Sequence, residues 1–75
     1  MKKMMSREQA LWQQGRNLKK IRTNAKLTQK EIACRLHVSV STYQRWETGK
    51  IMLRLTNLYK ILCELDIPAD ELFAE

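Results

Sequence analysis

Proline occurs once in these 75 residues (Pro68) and glycine twice (Gly15, Gly49), too few for a fold built from many tight turns. No stretch keeps up the apolar/polar alternation of β-branched residues, so helices joined by short connections are expected rather than a sandwich or barrel. No apolar run approaches the roughly 18 residues of a membrane span. The opening "MKKMMSREQ" carries no apolar segment after its lysines, unlike a secretory signal, and the expected location is the cytoplasm. Two cysteines, Cys34 and Cys63, are too few for a disulfide scaffold, and in apolar-periodic segments they are expected as reduced thiols at the core edge. Cys34, His37 and Cys63 together lack a fourth soft ligand and a second paired spacing, so no metal is assigned. There is a single histidine, no glycine-rich phosphate loop and no paired polar constellation on one face. Catalysis is therefore the weakest reading, with no catalytic residue and no cofactor expected.

Positive charge is what the chain has in excess. Fourteen Lys and Arg against eight Asp and Glu give a net charge of +6, which suits a polyanionic partner. All the basic side chains fall within residues 1–60 beside only Glu8, Glu31 and Glu47, whereas residues 61–75 hold acids and no base. One end of the molecule should attract phosphate and the other repel it.

Local signals place the elements. "TQKE" puts Thr28 at a helix N-cap with Glu31 three residues on, a reciprocal capping box, and predicts a helix over about 29–36 that buries Ile32, Ala33 and Leu36. Ser39 can cap a second helix running to about Thr48, with Gly49 as its left-handed stop. Upstream, Leu18, Ile21 and Ala25 recur at helical spacing over about 15–24, and Ser6 with Gln9 offers an earlier start. Gly15 leaves open whether those halves form one helix. Downstream, Leu55, Leu58, Ile61, Leu62 and Leu65 form the stripe of a fourth helix ended by Asp66 and Pro68. A short last helix, about 69–73, is expected to bury Leu72 and Phe73. Its acids Asp70 and Glu71 suit the positive end of the helix dipole.

Two short helices with about three residues between them have the spacing of a helix-turn-helix. The side chains sharpen this: Ala33 is small where two helices must cross, Val38 is apolar in the turn, and Tyr43 and Trp46 lie i, i+3 on the inward face. The strings "GRNLKKIR", "LTQKEIACRL", "VSVSTYQRWETGK" and "LYKILCELDIPADELF", and the ordered pattern "TQ..IA..L.VS......WE.G", resemble the phage-repressor and Cro-like (XRE-type) helix-turn-helix family. The resemblance covers about residues 15–73. It implies an all-α, five-helix bundle of the lambda-repressor-like type over residues 15–75 behind an N-terminal extension, 1–14, that is partly helical or flexible. It further implies double-stranded DNA binding and a homodimer on a two-fold operator. Three departures stand out: His37 replaces the usual turn glycine, Tyr43 an Ile or Val, and "IMLRL" (51–55) a more polar connection.

Helix geometry assigns roles on the recognition segment. Ser41 and Arg45 are i, i+4 neighbours flanked by Gln44 and Thr48, on the face opposite Tyr43 and Trp46. A helix docked N-terminus first in the major groove would present Val40, Ser41, Gln44 and Arg45 to base edges, Val40 toward a thymine methyl and Arg45 toward guanine O6 and N7. Thr28, Gln29, Lys30, Thr48, Lys50 and Arg54 are expected on phosphates, with Lys26 a further candidate; for Gln29 this is what the resemblance implies. The resemblance also makes Arg22 and Glu47 an ion pair between the first helix and the end of the recognition helix.

Two classes of function remain. One is a transcriptional regulator, expected to act as a repressor, that reads DNA with the helix at about 39–48. The other is a protein-binding adaptor or antitoxin-like module on the same fold. Its cue is apolar surface at Ile51, Met52 and Leu53, or in the N-terminal segment with Met1, Met4, Met5, Leu11 and Trp12. No membrane partner is expected.

Overall fold

Three hydroxyl side chains start the first three helices. Ser6 accepts from the Gln9 amide while its own amide donates to Gln9 Oε1, and Thr28 and Glu31 repeat the arrangement; both are closed capping boxes. Ser39 accepts from the Thr42 amide at 3.0 Å. The computed structural model describes residues 5–74, so Met1, Met4 and the start of the 1–14 segment lie outside the described residues. Its elements are α1 (Arg7–Asn24), α2 (Gln29–Arg35), α3 (Val40–Glu47), α4 (Leu55–Leu65) and α5 (Ala69–Leu72), with no strand among the described residues. The all-α, five-helix bundle is therefore the observed architecture. α1 runs unbroken through Gly15.

Four connections pass through left-handed backbone, and glycine occupies only one of them. Gly49 has φ 75°, but Lys26 (59°), His37 (58°) and Asp66 (51°) hold the same conformation with a Cβ attached. At His37 the turn is held by its amide donating to the Cys34 carbonyl and by the Val38 amide donating to Ala33. The exposed imidazole makes no hydrogen bond among the described residues, so nothing visible offsets the strain. His37→Gly is expected to raise stability by about 0.5–1 kcal/mol, the relieved strain outweighing the freer unfolded chain. The check is the urea midpoint, which should rise with an unchanged slope.

The core forms where the helices meet: Leu18 and Ile21 of α1, Ile32 and Ala33 of α2, Leu36, Tyr43 and Trp46 of α3, Leu53, Ile61 of α4 and Leu72 of α5 are buried. Burying each large apolar side chain contributes roughly 1.5–3 kcal/mol before entropy is charged against it. The bundle accommodates the Tyr43 ring by setting it edge-on to Trp46, with centroids 6.2 Å apart and planes at 74°. Several expectations fail at the edges of this core. Ala25 is exposed as the C-cap of α1, Leu55 and Phe73 are exposed, and Cys34 and Cys63 are exposed free thiols rather than core-edge ones. Leu53 goes the other way: it is buried, while its neighbours Ile51 and Met52 are exposed.

At four residues α5 is too short to stand alone, and one side chain from α1 ties it down. Buried Asn17 donates through Nδ2 to the carbonyls of Leu72 (2.9 Å) and Ala74 (2.8 Å), and its Oδ1 accepts from Gln13 at 3.1 Å. A buried amide is tolerable when satisfied this fully.

Candidate functional site

Tyr43 and Trp46 turn one side of α3 into the core, so helical periodicity pushes Ser41, Gln44, Arg45 and Thr48 to the opposite side. With Gln29 from the start of α2 and Lys50 from the loop after α3, these four line one shallow concavity. Two cations and several neutral hydrogen-bonding groups line it, and no acid does. A polyanion fits such a surface. Of the other sequence-assigned residues, Val40, Thr28, Lys30 and Arg54 do not line it. Val40 is half-buried and leans on the core. Thr28 has its hydroxyl and amide committed to the capping box. Lys30 and Arg54 are exposed, Arg54 at the N-cap of α4 without a side-chain capping bond. Thr48 spends its hydroxyl proton on the Gln44 carbonyl at 2.8 Å, leaving only lone pairs to offer.

Behind the concavity α3 is fastened to α1. Arg22 donates from Nε to Glu47 Oε2 and from Nη2 to Oε1, both at 3.0 Å, and from Nη1 to the Leu27 carbonyl at 3.0 Å. This two-pronged fork is the strong form of the arginine–carboxylate pair. Both side chains are largely shielded, at 14% and 7% exposure. Burial alone would raise the Glu47 pKa, but the Arg22 guanidinium above all, with the neighbouring Tyr43 hydroxyl and the Gln29 amide, overcomes it and holds the carboxyl below its ordinary value. Next to the pair, the Tyr43 hydroxyl is buried with no hydrogen bond of acceptable geometry. Burial and the nearby Glu47 carboxylate keep that phenol protonated well above its usual range.

A polar line continues outward from the pair. Gln29 Nε2 donates to Glu47 Oε1 at 3.2 Å, and Gln44 Nε2 donates to Gln29 Oε1 at 3.0 Å. The loop carrying Lys50 is held from the other side by Gln14, a residue sequence reasoning passed over. Its Nε2 donates to the carbonyls of Trp46 (3.1 Å) and Ile51 (3.0 Å), and its Oε1 accepts from the Leu53 amide at 2.9 Å. One signal was available: Gln14 and Asn17 are polar residues i, i+3 on the same face as Leu18 and Ile21, where an apolar stripe should run. Polar side chains facing a core imply backbone to satisfy.

Among the described residues, no group of three or more His, Cys, Asp and Glu is placed to hold a metal, and no helix is long and apolar enough to cross a membrane. A family model described as helix-turn-helix matches residues 18–72, which contain α2, α3, α4, α5 and all the buried apolar core residues named above. No curated protein matches the chain at a significant level.

Proposed function

This chain belongs to the XRE-type helix-turn-helix family of DNA-binding regulators, and from that premise we propose that it is a sequence-specific regulator of transcription, acting in the cytoplasm as a repressor. The observation that carries this reading is the acid-free concavity, which sets Ser41, Gln44, Arg45 and Lys50 side by side on the exposed face of a helix anchored from behind. In the major groove, Arg45 would meet a guanine edge and Ser41 a nearby base, while Gln29, Lys30, Lys50 and Arg54 reach phosphates. One eight-residue helix reads few base pairs. A homodimer on two half-sites about one helical turn apart supplies the remainder. A protein that stays monomeric both free and on its selected DNA would argue against the dimer.

The experiment is selection of bound duplexes from a random pool at two salt concentrations. A recurring two-fold sequence, with affinity falling steeply as salt rises, is the expected result; enrichment of no sequence would overturn the reading. Arg45→Ala is expected to lower affinity for the selected site by about 1–3 kcal/mol and to flatten preference at one position of each half-site. Preference unchanged at every position would remove the proposed base contact.

A second reading, a protein-binding module, is favoured by a different observation. An apolar groove of about 310 Å³ is lined by Met5, Met52, Leu58, Leu72 and Phe73 among others, away from the concavity. Met5, Met52 and Phe73 are exposed there. Leu53 lines the same groove but is buried, so a protein partner would meet chiefly the exposed Met5, Met52 and Phe73, while Ile51, also exposed, does not line it.

A further inference from the structure

Arg22, Glu47, Gln29 and Gln44 form a single hydrogen-bonded line from the scaffold to the exposed face of α3. Its polarity is forced from the inner end. An ionised carboxylate only accepts, so Gln29 must turn its amide nitrogen toward Glu47. That leaves the Gln29 carbonyl facing Gln44, which must answer with its own nitrogen. Neither amide is free to flip without opposing two acceptors or two donors. Gln44 is thereby drawn sideways onto α2, and the second N–H of Gln29 is left for an acceptor outside the protein. Val40, the first residue of α3, leans on the core and has no polar side-chain atom with which to hold Gln29.

We propose that Gln44 is a positioning residue and not a base reader: it holds the Gln29 amide as a phosphate donor in fixed register with Arg45. This changes the role that face geometry alone assigned to Gln44, and it rests on the DNA-binding reading of the same surface. A phosphate contact carries no sequence information, so losing its support weakens all sites alike. A base contact, when lost, relaxes one position.

The test compares the wild type, Gln44→Ala, Gln29→Ala, the double variant and Arg45→Ala, each first shown to unfold cooperatively. Duplex selection gives the preference profile, and titration of the selected duplex gives the affinity. Gln44→Ala is expected to lose about threefold to tenfold in affinity, the scale of one hydrogen bond, with its preference profile superimposable on that of the wild type. The double variant should lose no more than Gln29→Ala alone, because Gln44 acts through Gln29. Preference relaxed at one operator position in Gln44→Ala, or losses that add in the double variant, would overturn the assignment. Arg45→Ala shows what a relaxed position looks like in the same assay. A wild type that enriches no sequence would instead sink the DNA-binding reading, and with it this one.

Discussion

Gly15→Ala is expected to destabilise the protein by about 3 kcal/mol, even though alanine is the better helix former by roughly 1 kcal/mol. A domain of this length has a stability of roughly 4–11 kcal/mol, so the loss is a large share of the whole. Gly15 is buried at mid-α1, where the end of α3 passes closest. A Cβ there would overlap the Glu47 carbonyl oxygen and lie 3.0 Å from its carbonyl carbon. Both obstacles are backbone, so no side-chain rotamer relieves them, and α1 must back away from α3. The same seam carries the Gln14 bonds to Trp46 and Ile51 and the Arg22–Glu47 fork, and these would loosen together. Urea unfolding should show a much lower midpoint with an unchanged slope. An equal or higher midpoint would mean that the helices can part at little cost.

Removing the carboxylate at Glu47 should be nearly as damaging. Glu47→Ala is expected to cost about 2–4 kcal/mol, chiefly because Arg22 keeps its charge in a largely shielded site with no acid to face. The truncation also leaves the Gln29 amide without its acceptor. The effect carries a pH signature. Because the folded-state pKa of Glu47 lies below its ordinary value, the contribution is complete above the unfolded pKa of about 4.3 and disappears as pH falls through the folded value. Glu31 adds to the same trend, its carboxyl lowered by hydrogen bonds from the Thr28 backbone and hydroxyl. Wild-type stability should therefore fall as the solution is acidified below about pH 4.3, and Glu47→Ala should follow a visibly shallower curve. Identical slopes in both proteins would show that the pair contributes nothing through its charge. An Arg22→Ala, Glu47→Ala double-mutant cycle would give the coupling directly.

How much of this was legible in the sequence depended on how far apart the interacting residues lie. The caps at Ser6, Thr28 and Ser39 close hydrogen bonds three residues away, so their residue types announce them. The inward face of α3, with Tyr43 and Trp46 buried opposite Ser41 and Arg45, follows from 3.6 residues per turn. The family's ordered pattern was likewise written in contiguous strings.

Exposure at the margins was another matter. Leu55, Phe73, Cys34 and Cys63 sit in apolar patterns yet face outward, because periodicity says which residues share a face and not whether a neighbour arrives to cover it. Leu53 and Ile51 look alike in sequence, and only the path of the loop buries one and exposes the other.

By itself, then, the sequence determined the helices, their caps, the inward stripe and the segregation of charge. These depend on the chemistry of a few adjacent residues and on the geometry of one turn. The tertiary structure alone decided that Gly15 is a point of close approach, that Gln14 and Asn17 clamp distant backbone, and that Gln44 reaches Gln29. Each of those contacts joins residues 15 to 57 positions apart, and no local rule can say which donors packing will bring within 3 Å of which acceptors.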